Sequence, residues 1–295
     1  MKNYIKILYR QYISRSIKRK WERELSEEIM SNINLAHWKQ KCKGDTFFIL
    51  GTGSSINEIS SDRWSKISEE TTMGINFWMI HDFVPDFYVA EIPGENRGKM
   101  WTDIINERLA DYRKAGVWIN VKVPYAKSKN TSEKLETIKL LPLDVFNEVN
   151  LIPSFPIYTN EKRDVLSNVS KYIDYCIKTD TLKFVAQMRG SILGAYLIGV
   201  VLGFKKIVFC GIDLNDTKYF YTEREDYYKA KNRTVPGTGY AVGAVHGNIK
   251  KVDNALDVIE LIELLDIYFR KEYKVKTYNI NPKSRLAEIL PLYEE

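Results

Sequence analysis

The sequence predicts an α/β fold in which helices cover both faces of a single, mostly parallel, Rossmann-like sheet, with a helix at the N-terminus. Three observations predict this fold. Short apolar runs alternate with longer stretches of helical periodicity, as they do in βαβ units. Glycine-containing turns directly follow two of the apolar runs. The chain has 295 residues, 44% of them apolar, and is long enough to bury a substantial core.

The apolar runs and the periodic stretches give the elements in order. Six strands are predicted over residues 46–50, 72–75, 87–92, 117–121, 206–210 and 274–278. Four helices are predicted over residues 100–114, 165–178, 191–202 and 249–271. Residues 122–163 are less regular, and we expect a subdomain or a flap there. Residues 216–245 form a second long irregular stretch, which we interpret as a lid loop because long loops in compact domains usually have a function.

The first 42 residues differ from the rest of the chain in charge. Apolar side chains recur at helical spacing through residues 2–38, which predicts one amphipathic helix. Residues 1–23 contain eight basic residues and one acid, a net charge of +7 in a chain whose total is +6. Such a helix either lies on a membrane surface or packs on the body or on a second subunit of a homo-oligomer. Residues 43–295, the globular domain, are nearly neutral, which disfavours nucleic-acid binding.

The cysteines and the apolar runs indicate the compartment. The three cysteines, Cys42, Cys176 and Cys210, form no C-x-x-C pair and no full disulfide set, which favours a reducing cytosol and disfavours structural zinc. No apolar run reaches the roughly 18 residues of a membrane-spanning helix. The N-terminus lacks the apolar segment of a signal peptide. We expect a cytoplasmic protein that is peripheral on the inner face of the cell membrane if its basic helix binds lipid.

A glycine-rich turn follows the first predicted strand of the domain. Backbone N–H groups in such a turn can approach a phosphate or ribose closely, and neighbouring hydroxyls can add hydrogen bonds. The turn is neither a Walker loop nor a complete dinucleotide fingerprint. Strand-to-glycine turns are common in α/β proteins, so the turn by itself is weak evidence for a nucleotide. Its candidate contact residues are Gly51, Thr52, Gly53, Ser54 and Ser55.

Further polar residues stand where other strands end. Asn76 ends the second strand, where its amide could contact a base or ribose, although an Asx-turn or a helix cap is the ordinary role. Gly211 and Asp213 follow the strand over residues 206–210, with Asn215 two residues later; Asp213 could simply cap the turn. The carboxyl ends of parallel strands meet at one edge of the sheet, where α/β proteins bind ligands.

Four more side chains are candidates for catalysis or binding. Arg189 and Ser191 precede a helix of small residues and belong to the same edge. The hydroxyls of Tyr219 and Tyr221 could donate to a phosphate, although loop packing would explain both rings. His246 precedes a long predicted helix and could act as a general base, because imidazole titrates near neutral pH; a lone loop histidine is the ordinary alternative.

Metal binding is not indicated by the acidic residues. The chain has no Asp-x-Asp motif, and the loosely clustered acids lack convincing ligand spacing. We therefore expect no metal site. The clustered acids are Asp213, Asp216, Glu223 and Glu225.

Taken in this order, the motifs resemble the family-42 type of bacterial sialyltransferases, which use CMP-linked nonulosonic acids. The resemblance runs from about residue 46 to residue 292, and its specific parts are the glycine turn, Asn76, the Arg189–Ser191 pair, the 202–213 segment, Tyr221 and His246. It implies a GT-A-like fold and an inverting, metal-independent transfer to a hydroxyl of a surface glycan such as lipopolysaccharide or capsule.

The resemblance also implies partners and roles. The donor is a CMP-linked sugar, which is a co-substrate, so no cofactor is expected; the acceptor is an oligosaccharide or glycolipid. His246 would take the acceptor proton, Tyr221 would stabilise the departing phosphate with Tyr219 nearby, and Arg189 would orient a substrate. The residues that would hold the nucleotide are Gly51, Thr52, Gly53, Ser54, Ser55, Asn76, Ser191, Gly211, Asp213 and Asn215.

This chain departs from the family pattern at three places. Thr52 stands where the family has Asn, and Asn215 stands where it has its first phosphate-binding Tyr. Glu91 follows the third strand, where a neutral amide is expected, and its charge would disfavour a nearby donor carboxylate or phosphate. Legionaminic, pseudaminic or Kdo-type sugars are therefore alternative donors.

Two other functions fit parts of the sequence. Residues 84–91 and the glycine turn also resemble pterin-diphosphokinase-like and flagellin-glycosylation accessory proteins, although a diphosphokinase should need magnesium and acidic ligands. A non-catalytic nucleotide-binding scaffold of a glycan assembly complex is the second alternative, and the basic N-terminal helix would suit it.

Overall fold

The computed structural model describes residues 33–93, 97–123, 131–141, 149–157, 161–215, 217–237 and 255–294. Eight strands of this part form one sheet in which every neighbouring pair is parallel. Two further short strands, β1 and β7, form an antiparallel pair. The strands are β1 Ile33–Asn34, β2 Thr46–Leu50, β3 Thr71–Ile75, β4 Phe87–Glu91, β5 Ile119–Val123, β6 Val149–Pro156, β7 Thr181–Leu182, β8 Val185–Gln187, β9 Lys206–Cys210 and β10 Lys276–Asn279.

The strand order places a topological switch point inside the sheet. The order is β10-β9-β2-β3-β4-β5-β6-β8, so the chain moves outward from β2 to β8 and then returns to the other side of β2 as β9. At such a point the loops after the two central strands lead to opposite faces and leave a crevice. Here the two loops begin at Gly51 and Gly211, both singled out by the sequence.

Helices cover both faces of the sheet, as the sequence predicts. One apolar core contains α5, α6 and α9, and the other contains α3 and the short helices α7 and α8. The helices are α1 Leu35–Lys41, α2 Ser61–Glu69, α3 Gly98–Lys114, α4 Thr131–Lys139, α5 Lys162–Thr179, α6 Ser191–Leu202, α7 Phe220–Glu223, α8 Glu225–Ala230 and α9 Val258–Glu272. The predicted α/β class with a parallel, doubly covered sheet is therefore confirmed.

Helix α6 makes the return crossing and is buried along all twelve residues. It contacts β8, β4, β3 and β2 on its way to β9. Glycines permit this close packing: a Cβ added at Gly194 would lie 2.8 Å from the carbonyl oxygen of Ala186. The small-residue character of this helix in the sequence thus reflects its path across the sheet.

Two strands at the far side of the sheet, β6 and β8, were not predicted, whereas β5 was predicted two residues too early. β6 contains Asn150, and β5 beside it contains Asn120, so neither strand has a continuous apolar run. The Asn150 amide donates to Asn120 Oδ1 at 3.0 Å, and the Asn120 amide donates to the Tyr88 carbonyl at 2.8 Å. These buried amides satisfy one another across strands, a pairing that no single segment of sequence reveals.

The prediction of one helix through residue 38 is wrong at its end. Ile33 and Asn34 are extended and pair with β7, and the Asn34 side chain accepts a hydrogen bond from His37 N at 3.1 Å to begin the separate helix α1. Asn34 therefore acts as a helix cap, one of its preferred roles. The remainder of the predicted N-terminal helix, residues 1–32, lies outside the described residues.

The prediction of an irregular segment over residues 216–245 is wrong at residues 220–223 and 225–230. Residues 220–230 form α7 and α8, and the segment is tied to the body by ionic contacts. Asp82 lies 2.6 Å from Arg233 and 2.7 Å from Lys231. Thr234 donates its backbone N–H to Glu107 at 2.7 Å. The last predicted helix, over residues 249–271, begins only at Val258 among the described residues.

Within the described part of the chain, none of the helices combines the length and the apolar character needed to cross a membrane.

We expect Gly194→Ala to lower the free energy of unfolding by about 1–3 kcal/mol, because the new methyl group meets a backbone carbonyl that the sheet holds in place. Urea unfolding followed by circular dichroism measures this. Gly237→Ala is the matched control, since nothing lies within 4 Å of its added Cβ. Equal stabilities of the two variants would contradict the close packing of α6.

Candidate active site

Two turns lie side by side at the switch point. Gly51 N donates to Cys210 O at 2.7 Å, and Gly53 N donates to Gly211 O at 2.8 Å. The contact leaves no room for side chains: a Cβ at Gly53 would lie 2.4 Å from Asp213 Oδ2. Gly211 has φ +65°, in the left-handed region that glycine adopts easily. The glycines thus bring the ends of β2 and β9 together.

Asp213 braces the glycine turn. Its carboxylate accepts hydrogen bonds from Ser55 N at 3.0 Å, from Ser55 Oγ at 2.5 Å and from Asn281 Nδ2 at 2.9 Å. Both Ser55 and Asp213 are buried. These contacts agree with the alternative in which Asp213 caps the turn.

Asn215 faces the C-terminal segment. Its amide donates to the Lys283 carbonyl at 2.6 Å, and its oxygen accepts from Arg285 N at 3.1 Å. The side chain therefore joins the end of β9 to the segment after β10. Asn215 lines neither of the two cavities described below.

Asn76 follows β3 in a left-handed conformation, with φ +53°. Its backbone carbonyl accepts a hydrogen bond from the Tyr88 hydroxyl. Its side-chain oxygen is buried and has no hydrogen-bond partner among the described residues. A buried, unpaired acceptor beside a cavity is a position that a ligand donor would satisfy, whereas an Asx-turn or a cap would have used this oxygen.

Tyr219 and Tyr221 form a stacked pair beside the glycine turn. Their ring centroids are 5.2 Å apart and their planes differ by 9°. A backbone bridge joins Gly53 to Tyr219, and Phe220 N donates to Thr52 O at 3.1 Å. Burial raises the pKa of Tyr221 well above its ordinary value, so its hydroxyl keeps its proton at neutral pH. Tyr221 can therefore donate a hydrogen bond.

Two cavities meet at these residues. The smaller, of about 90 Å³, lies at the switch point, and the larger, of about 390 Å³, extends toward β4 and α3. Thr52, Asn76 and Tyr219 line both. Among the other predicted site residues, those that line one cavity are Gly51, Gly53, Ser191, Gly211, Asp213 and Tyr221, and those that line neither are Ser54, Ser55, Arg189 and Asn215. His246 lies outside the described residues.

The sequence did not identify the far wall of the larger cavity. Arg97, Trp101 and Lys134 line it, at the start of α3 and within α4. The Trp101 indole N–H is buried and has no hydrogen-bond partner in the part of the chain that the structure describes. Trp101 belongs to a helix whose periodicity predicts only a core face, Arg97 precedes that helix, and Lys134 lies in the stretch for which the sequence predicts no regular structure. Their approach to Asn76 depends on how the helices pack.

An ion pair supports the wall between the two cavities. Glu91 and Lys122 are partners across β4 and β5, with Lys122 Nζ 3.5 Å from Glu91 Oε2. Lys122 also donates to Ser191 Oγ at 3.0 Å and to Gln187 Oε1 at 2.8 Å, and Ser191 donates to Glu91 Oε2 at 3.1 Å. The charge of Glu91 is thus matched by a lysine that the sequence analysis did not take into account.

The pKa values of this pair follow from burial and charge. Burial opposes ionisation of Glu91, but the charges of Lys122 and Lys134 and the hydrogen bond from Ser191 outweigh it and hold the pKa of Glu91 below its ordinary value. Burial lowers the pKa of Lys122, and Glu91 partly compensates. Glu91 is therefore ionised at neutral pH.

His81 has a packing role. Its ring stacks on Trp78 at 4.6 Å and meets Phe220 edge-on at 5.3 Å. Burial lowers its pKa to about 4, so it is neutral at physiological pH. Its Nδ1 accepts a hydrogen bond from Phe83 N at 3.1 Å.

Across the described residues, no group of three or more His, Cys, Asp or Glu side chains is arranged to hold a metal ion.

Solved structures similar to this chain include those of the sialyltransferase CstII. The CstII structure from Campylobacter jejuni with the substrate analogue CMP-3FNeuAc is 18% identical, with coverage of 84% of this chain and 86% of that chain and a TM-score of 0.48. The CST-II complex with a trisaccharide acceptor and CMP is 17% identical, with coverage of 84% and 86% and a TM-score of 0.44. These neighbours are sialyltransferases, the class that the motifs resemble. No family model and no curated protein matches the chain.

We expect Asp213→Ala to lower the free energy of unfolding by about 2–4 kcal/mol, because three buried donors lose their charged acceptor. Chemical denaturation measures the change. Asp226→Ala removes an exposed carboxylate from α8 and should change stability by less than about 1 kcal/mol. A similarly small effect at Asp213 would mean that the glycine turn holds its shape without this carboxylate.

Proposed function

We propose that this protein is a glycosyltransferase that moves a sialic-acid-like sugar from a CMP-linked donor to a hydroxyl of a glycan. The observation that carries the proposal is the cleft at the switch point of the sheet. There the glycine turn, the unpaired oxygen of Asn76 and the stacked Tyr219–Tyr221 pair border one connected space. The glycine turn, Asn76 and Tyr221 also belong to the motif set that resembles CMP-dependent sialyltransferases.

The proposed nucleotide site lies between β2 and β3. In this arrangement the turn over residues 51–53 lies along the phosphate and ribose, and Asn76 Oδ1 accepts a hydrogen bond from the nucleotide. Tyr219 and Tyr221 donate to the phosphate from the opposite side. Two neutral hydroxyl donors are suited to a phosphate whose negative charge grows as its bond to the sugar breaks.

The proposed reaction is a single displacement. The acceptor oxygen bonds to the anomeric carbon while the bond from that carbon to the phosphate oxygen breaks. CMP leaves with the bonding electron pair, and the acceptor proton passes to His246. Because attack and departure occur on opposite sides of the carbon, the configuration inverts. The hydrogen-bond donors of the cleft supply the stabilisation, so we propose a transfer that needs no metal ion.

The first test is nucleotide binding with and without divalent metal. CMP should raise the melting temperature in EDTA as well as in magnesium, because a ligand that binds the native state stabilises it. Calorimetry with CMP, ATP and GTP under both conditions gives the selectivity. Magnesium-dependent binding of ATP or GTP alone would favour a diphosphokinase-like function, and the absence of binding by all three would favour a scaffold.

The second test separates binding from chemistry. His246→Ala should reduce transfer from a CMP-sugar by at least about 100-fold, the usual contribution of a general base, while CMP affinity stays within about twofold. His37→Ala is the control, because His37 lies in α1, away from the cleft. Transfer at the wild-type rate in His246→Ala would show that another group accepts the proton.

A further inference from the structure

A charged residue stands on the cleft wall beyond the proposed nucleotide position. Glu91 ends β4, two strands from β2, and adjacent strands are about 4.8 Å apart. Its carboxylate therefore lies roughly 10 Å along the sheet edge from the glycine turn. That separation suits a sugar attached to a phosphate at the turn.

The two oxygens of this carboxylate have different surroundings. Oε2 accepts from Ser191 and faces Lys122, as described above. Oε1 has no hydrogen-bond partner among the described residues. The side chain is 42% exposed and lines the larger cavity. Glu91 thus presents one fixed acceptor atom to whatever occupies the cleft.

A buried lysine holds this acceptor in place. The Lys122 side chain is 1% exposed and has three partners, on β4, β8 and the N-terminus of α6. Burying an ammonium is unfavourable unless it is paired, and an apolar residue would fill the same space at lower cost. The partial positive charge at the N-terminus of α6 also stabilises the carboxylate. The arrangement therefore keeps Glu91 ionised and in one orientation.

We propose that Glu91 determines donor specificity by accepting a hydrogen bond from a hydroxyl of the donor sugar, and that Lys122 is its positioning residue. This inference rests on the proposed function. It also changes the meaning of the departure at Glu91: because the carboxylate is paired with Lys122 and lies near the charge of Lys134, it does not repel an acidic sugar but accepts a hydrogen bond from one of its hydroxyls.

The test varies Glu91 and the hydroxyls of the ligand separately and together. We would measure by calorimetry the affinity of CMP, of a non-transferable analogue of CMP-N-acetylneuraminic acid, and of its single-deoxy forms, one for each sugar hydroxyl. Wild-type protein should bind one deoxy form at least about tenfold more weakly than the parent, as expected for a lost hydrogen bond to a charged group. Glu91→Ala should abolish that preference and leave CMP affinity unchanged.

Lys122→Met tests the positioning role through pH. Without the ammonium, burial raises the pKa of Glu91, so as the pH falls the hydroxyl preference should be lost at a higher pH in Lys122→Met than in wild type. The charged and polar groups that act on Glu91 are Lys122, Lys134 and Ser191. Asp45→Ala is the control: it breaks an exposed pair with Lys206 at 2.9 Å at the opposite edge of the sheet. Melting temperatures establish that each variant is folded.

The possible results are distinct. If wild-type protein binds neither CMP nor its sugar conjugate, the proposed function is wrong. If CMP binds but every CMP-sugar is rejected, or all deoxy forms bind equally, or the preference survives in Glu91→Ala, the inference about Glu91 is wrong while nucleotide binding stands. An unchanged pH profile in Lys122→Met would reduce Lys122 to a structural residue.

Discussion

The contact between two glycine turns is the constraint on which the rest of the site depends. Gly51 and Gly53 hydrogen-bond to the ends of β9, and Asp213 fixes the turn through Ser55 and Asn281. This contact requires β9 to return beside β2 after the chain has built the other side of the sheet. It therefore links the local requirement for glycine to the strand order that opens a crevice.

The return path is possible because α6 can lie flat on the sheet. A helix buried on all sides crosses four strands and begins at Ser191, in the middle of the cleft wall. One element thus fixes the position of β9 and supplies a hydroxyl to the Glu91–Lys122 pair. This helix connects the packing of the sheet to the geometry of the site. A substitution that displaces α6 would therefore displace both β9 and Ser191.

The cleft combines neutral donors with balanced charges. Tyr221 keeps its proton because it is packed in an apolar surrounding, and the segment that contains it is tied to the body through Asp82 and Glu107. On the opposite side, Glu91 and Lys122 neutralise each other while Arg97 and Lys134 remain on the wall. In the proposed function, the tyrosines hydrogen-bond the phosphate of the donor and Glu91 recognises its sugar.

The sequence by itself determined the fold class, six of the eight strands of the main sheet and the residues at the strand ends, because buried parallel strands and glycine turns leave local patterns. It could not predict β6, whose buried asparagine is satisfied by a neighbouring strand, or the break at Asn34, which depends on pairing with β7. Only the tertiary structure shows that the Asp213 carboxylate accepts hydrogen bonds from the glycine turn and that Lys122 pairs with Glu91. Those contacts join residues that are distant in the chain, and their energies depend on burial and partner charge, which local sequence does not encode.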